Sequence, residues 1–108
     1  MSAKPRSRYT LAAAALLGQL VAAERKVRRM TALSLAERLG VDRSTVARIE
    51  KGDPRVELGT AFEACALLGI PLFESDPAVL AQRLGEAQAR LALLPRRARS
   101  RQVASDDF

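Results

Sequence analysis

The sequence predicts an all-α fold of five helices, and three observations carry that expectation. Apolar residues recur at spacings of three and four in five separate stretches, no run of alternating β-branched residues is long enough for a strand, and glycine or proline punctuates most of the junctions. With 108 residues the chain has room for one small domain plus short tails. Hydrophobic residues make up 48% of it but aromatics only 4%, with no Trp, so the core must be built mainly from Leu, Val and Ala.

The first helix is predicted over about Thr10 to Arg28. Lys4, Arg6 and Arg8 followed by LAAAALLGQLVAA imitate a secretory signal peptide, yet Gly18 and Gln19 interrupt the apolar stretch, which falls short of the roughly 18 residues of a membrane span. Ala13, Leu16, Leu17, Leu20, Val21 and Val27 instead share a helical face that can be buried, so the segment reads as a first core helix behind a basic arm, residues 1–9. The second helix spans about Ala32 to Leu39, with Thr31 as N-cap and Gly40 as its stop. The third spans about Arg43 to Glu50, capped by Asp42 and ended by Gly52, after which Asp53-Pro54-Arg55 forms a turn that the Asp53 side chain can close. The fourth runs from about Leu58 to Leu68 and stops at Gly69, before Pro71. Asp76-Pro77 supplies a cap and first helical residue for the fifth, which reaches about Leu94. Residues 95–108, PRRARSRQVASDDF, have little apolar content and form a flexible tail.

Charge and composition narrow the function. The chain carries 18 Lys+Arg against 12 Asp+Glu, a net charge of +6, which points to nucleic acid or an anionic membrane surface as partner. Residues 1–33 hold seven basic groups and one acidic, 34–74 five and seven, and 75–108 six and four, so the central segment is slightly acidic. With no His and a single Cys, a His/Cys zinc site, a His-based triad and an internal disulfide are excluded. Ser44, Thr45 and Cys65 have no base nearby in sequence and no Gly-rich phosphate loop is present, so neither enzyme nor cofactor is expected. Cys65 fits a small buried hydrophobe.

The most informative segment is LAERLGVDRSTVARIEKG, Leu35 to Gly52. Ala36 is small where two short helices must approach most closely, and Gly40 can take the positive backbone dihedral of a tight turn. Leu35, Leu39, Val41, Val46 and Ile49 let both helices face one core. The second of them keeps a free polar face of Arg43, Ser44, Ala47 and Arg48. That arrangement is a helix-turn-helix.

Those residues, with the ending Ile49-Glu50-Lys51-Gly52, resemble the Cro and phage-repressor type of helix-turn-helix, the Xre family, over roughly residues 17–72. The resemblance implies a lambda-repressor-like DNA-binding domain over residues 10–74 that works in the cytoplasm on double-stranded DNA. It places Arg43, Ser44, Thr45 and Arg48 at base edges in the major groove, where an Arg gives two hydrogen bonds to guanine O6 and N7. Thr31 and the first N–H groups of the second helix would hold a phosphate, with Lys51 and Arg55 as further phosphate contacts. The chain departs from the pattern at Ala32, where many members have Gln, and at Arg29 and Glu24, which replace a glycine and an apolar residue. Arg25 and Glu50 match positions that pair between the first and third helices.

A narrower resemblance rests on Gly52-Asp53-Pro54-Arg55-Val56, Leu58-Gly59-Thr60 and a tail from Leu94-Pro95-Arg96-Arg97 to Asp106-Asp107-Phe108. These are similar to HipB-like antitoxins, which implies an autoregulating repressor that binds a HipA-like kinase toxin, with Asp106, Asp107 and Phe108 as partner-docking residues. A stand-alone Xre-family regulator of phage or metabolic type is the alternative, and a membrane-surface module using the basic first helix a third. Independently, Leu80, Leu84, Ala87, Leu91 and Leu94 form a heptad-like seam within residues 75–94 that suits homodimerisation on two half-sites; folding back on the first and fourth helices would bury it equally well. Lys4, Arg6 and Arg8 could enter a minor groove, and Arg96, Arg97, Arg99 and Arg101 could contact DNA.

Overall fold

A computed structural model of the chain describes residues 5–97. Among them are five α-helices and no strand: α1 (Arg8–Val27), α2 (Ala32–Leu39), α3 (Arg43–Glu50), α4 (Leu58–Leu68) and α5 (Pro77–Ala92). Lys4, Arg99, Arg101, Asp106, Asp107 and Phe108 lie outside the described residues. No described helix is long and apolar enough to cross a membrane.

The boundaries of α2, α3 and α4 match those that the sequence predicts. Thr31 Oγ1 accepts the Ser34 N–H at 3.0 Å, one of the donors that a helix start leaves without an internal partner. α1 begins two residues earlier than expected because Ser7 caps it, its hydroxyl accepting the Thr10 N–H at 3.1 Å. α5 ends at Ala92, so Leu94 falls beyond the helix rather than within it; Asp76 caps its start through the Ala78 N–H at 2.9 Å.

α1 to α4 share one way of stopping. After the last turn a residue takes left-handed backbone, and the next residue's N–H returns to a carbonyl five positions back: Met30 to Arg25, Val41 to Ala36, Asp53 to Arg48 and Ile70 to Cys65. Gly40, Gly52 and Gly69 hold the left-handed position in three of them, while at the end of α1 Arg29 does so with φ 56°. Glycine reaches this region without a Cβ penalty, so the Arg29 position that departs from the family pattern is also one with a backbone demand for glycine. The residue that follows is apolar in three cases, and Met30, Val41 and Ile70 all pack on the core. The end of α3 carries Asp53 instead.

The chain divides into two compact units, one closing at Leu72 and the next opening at Phe73. In the first, α1 and α2 each pack on α3, and α4 packs on α1 and α2. Val21, Leu35, Ala36, Val46, Ile49, Ala64, Cys65 and Leu68 form its core, an aliphatic interior as the composition requires. Burial pushes the Cys65 thiol up. Arg28 Nη2 donates to the Leu68 carbonyl at 2.8 Å, satisfying an orphan acceptor at the end of α4 and placing a cation at its negative pole.

The buried face of α1 is not the expected one. Leu17 and Val21 do face the core, but Leu16, Leu20 and Val27 are exposed, as is Ala13, and the residue at the closest contact is Gly18. The helix is apolar almost all round, so periodicity cannot choose its inner side. Packing chooses it through Gly18, which lets α1 lie against the backbone of Ile49 and Glu50.

In the second unit, α5 has no buried residue, and Leu80, Leu84 and Leu91 are exposed.

Candidate nucleic-acid interface

α2 and α3 bury Leu35 and Ala36 on one side of the turn and Val46 and Ile49 on the other. Because Val46 and Ile49 fix the inner face of α3, the residues on the opposite side must point out. Arg43, Ser44, Ala47 and Arg48 are all exposed, the free polar face expected of them.

The start of α3 differs from expectation. Asp42 has the extended backbone of an N-cap, but its carboxylate makes no hydrogen bond to a helix N–H. It accepts the Thr45 hydroxyl at 2.9 Å instead. That bond, with a weaker one from Ser44, holds the Asp42 carboxyl below the usual carboxylate range. The half-buried Thr45 therefore has its O–H engaged and keeps only acceptor capacity toward a ligand.

At the other end of α3, Asp53 brings two site residues together. Arg48 Nε donates to Asp53 Oδ2 at 3.0 Å; Arg55 Nε donates to Oδ1 at 3.1 Å and Arg55 Nη2 to Oδ2 at 3.2 Å. The Arg55 backbone N–H also reaches Oδ1, at 2.9 Å, closing the turn that the sequence predicts. The Asp53 side chain is 13% exposed, against 47% for Arg48 and 62% for Arg55. Arg55 above all, through side chain and backbone, and then Arg48, hold the Asp53 carboxyl far below its ordinary value. In turn, Asp53 raises the pKa of Arg55.

These shifts fix a pH dependence. A depressed carboxylate pKa contributes stability above the ordinary value of about 3.9, and that contribution is lost as pH falls through the depressed one. In a ¹³C-detected acid titration, Asp53 is expected to show a midpoint below the ordinary aspartate value of about 3.9. Arg55→Ala should raise that midpoint more than Arg48→Ala does; an Asp53 midpoint near 3.9 would remove the ion pair from the solution state.

α3 is braced from behind. Arg25 on α1 donates through Nε to Glu50 Oε2 at 2.7 Å and through Nη2 to Oε1 at 3.1 Å, while its Nη1 reaches the Met30 carbonyl at 2.9 Å. Glu50 is the last residue of α3, so the fork sets the orientation of the exposed face relative to α1. The hydrogen bond to Glu50 raises the Arg25 pKa against the opposing effect of burial.

The residues expected to contact phosphate are exposed. Lys51 is exposed immediately after α3, and Thr31 is exposed at the start of α2. Since Thr31 Oγ1 takes the Ser34 N–H and Thr31 O takes that of Leu35, the Ala32 and Leu33 N–H groups have no helical acceptor. Sequence reasoning missed the double use of Asp53 and the Arg28 clamp on α4. The spacing Arg-x4-Asp-x-Arg was a usable signal for the first; the second joins residues 40 apart in sequence and left none.

A protein-family model described as helix-turn-helix matches residues 21–75. No curated protein and no solved structure gives a significant match.

Proposed function

The chain belongs to the Xre-type helix-turn-helix family and is a DNA-binding transcription regulator, and from that premise we propose that it is a dimeric repressor that reads its operator with the outer face of α3. The observation that carries this reading is the division of α3 into a buried face, Val46 and Ile49, and an exposed one of Arg43, Ser44, Ala47 and Arg48. A helix so divided can enter the major groove without loss of core packing. Arg43, Ser44 and Arg48 then meet base edges, with Thr45 accepting from a base or staying on Asp42. The Ala32 and Leu33 N–H groups and the Thr31 hydroxyl hold one phosphate at the positive pole of α2, and Lys51 and Arg55 hold others. A second copy, joined through the Leu80, Leu84 and Leu91 seam of α5 and continuing to Leu94, supplies the other half-site one helical turn away.

The finer reading is an antitoxin. Its support is the HipB-like sequence from Gly52 to Thr60 and the tail ending Asp106-Asp107-Phe108; on that reading the protein represses its own operon in the cytoplasm and binds a HipA-like kinase toxin, with no catalysis of its own. A stand-alone regulator is the alternative. Co-purification of a kinase from the native host with the full chain, lost on removal of residues 95–108, would support the antitoxin; no associated kinase would favour the stand-alone regulator.

Selection of bound sequences from a random duplex pool tests the DNA reading. With the selected site in hand, Arg48→Ala is expected to weaken operator binding about 10- to 100-fold and relax preference at one base pair. Lys51→Ala should weaken all sequences by a similar factor and reduce the salt slope by about one. Equal losses on operator and random DNA for both variants would reassign Arg48 to the phosphate backbone.

A further inference from the structure

Among the four helix ends that close in the same way, only that of α3 puts a charged residue where the others place Met30, Val41 or Ile70 against the core. That residue is Asp53, and the carbonyl its N–H returns to belongs to Arg48. An apolar closure has been replaced by an ion pair on the one helix with an exposed recognition face. Building on the DNA-reading role of α3, we infer that Asp53 is a positioning residue for sequence specificity: its carboxylate divides Arg48 and Arg55 into a base reader and a phosphate contact.

The division follows from where Asp53 holds each arginine: Arg48 by one bond from the exposed face of α3, Arg55 by three within the turn beyond it. Arg48 is held through Nε alone, at 3.0 Å, so both of its terminal Nη groups stay available as a pair. Two such donors match O6 and N7 of guanine. Arg55 is held through Nε and Nη2, at 3.1 and 3.2 Å, and through its backbone N–H, at 2.9 Å, so it stays tied to the turn beyond α3, where its remaining Nη hydrogens face the phosphate backbone on this reading. Asp53 can do both because its two oxygens are shared between the guanidiniums and its side chain is mostly buried by the turn. Its carboxyl also stays ionised to well below neutral pH.

The same carboxylate places a negative charge near the DNA backbone. It therefore opposes non-specific binding while it orders the side chain that reads sequence. Without it, two unrestrained guanidiniums would each be drawn to the nearest phosphate, and the cost of ordering Arg48 would fall at the moment of binding.

The test uses the full chain and the duplex selected by the wild-type protein. Asp53→Asn keeps an oxygen for the Arg55 N–H, so the turn persists while the charge is lost; Asp53→Ser is the second variant, and thermal unfolding confirms that each is folded. In both, the ratio of operator to random-duplex affinity is expected to fall about 3- to 10-fold, the entropy of one long side chain, without weaker random-duplex binding. Preference should relax at the same base pair that Arg48→Ala relaxes, and Asp53→Asn should relax it no further in an Arg48→Ala background. Retained preference at that base pair, or equal loss on operator and random DNA, would overturn the role of Asp53 while leaving α3 as the reading helix. A random pool from which the wild-type chain selects nothing would overturn both.

Discussion

Gly18→Ala is expected to destabilise the protein by about 2–3 kcal/mol, although alanine is the better helix former. A Cβ at position 18 would collide with the Ile49 carbonyl oxygen and lie 2.8 Å from the Glu50 oxygen and 3.0 Å from the Glu50 carbonyl carbon. All three are backbone atoms of the last turn of α3, so no side chain can swing aside. α1 must move off α3, which opens the packing around Val21 and Ile49. Alanine's helix propensity recovers only about 1 kcal/mol of that cost. For a domain of this size the net loss corresponds to a fall in melting temperature of about 10–20 °C by circular dichroism. Gly85→Ala is the matching control, because a Cβ there meets nothing within 4 Å. It should strengthen α5 by about 0.5–1 kcal/mol. If both substitutions shift stability in the same direction, the close approach of α1 to α3 does not exist in solution.

Arg25→Met is expected to cost about 3 kcal/mol, and Glu50→Gln somewhat less. The two side chains are only 13% and 16% exposed, so removing the cation leaves a carboxylate that water reaches poorly. Methionine fills most of the volume but also abandons the Met30 carbonyl that Arg25 Nη1 holds at 2.9 Å. Pairing Arg25→Met with Glu50→Gln removes both charges together, and this double variant should be closer to wild type than the sum of the two singles predicts. Urea unfolding of the four proteins gives the coupling directly. A coupling near zero would mean the fork contributes orientation but no net stability. Because Glu50 ends α3, the single variants should also lower operator affinity beyond what their stability loss accounts for.

Three of the five helices were legible to the residue, and for a common reason. Thr31 and Gly40, Gly52, and Gly69 mark ends by local backbone chemistry that one chain segment decides alone. The inner face of α1 was not legible, since Ala12 to Ala15 and Leu16, Leu17, Leu20 and Val21 offer several apolar stripes of similar quality. Gly18 decided among them, and a glycine in a helix announces a close approach only once the partner backbone is placed. The exposed face of α3 was readable from Val46 and Ile49, because burying one stripe of a helix exposes its opposite. The cap expected from Asp42 failed because the Thr45 hydroxyl competes for the same carboxylate. Asp53 was read as a turn former, which it is, but its grip on Arg48 depends on how the end of α3 folds back.

Gly18 and Arg25 hold α3 by its backbone and by its last residue, while Val46 and Ile49 anchor it from below; none of these occupies the outer face. Packing and exposed polar surface are thus written in different positions of one eight-residue helix. On the proposed reading, new binding preferences can be acquired at the exposed positions 43, 44 and 47 without renegotiating the fold. Position 48 is the exception, since it shares a carboxylate with position 55, so divergence there should proceed as a linked set of 48, 53 and 55. On that reading, descendants of such a chain can change their preference quickly while the body that carries α3 stays the same.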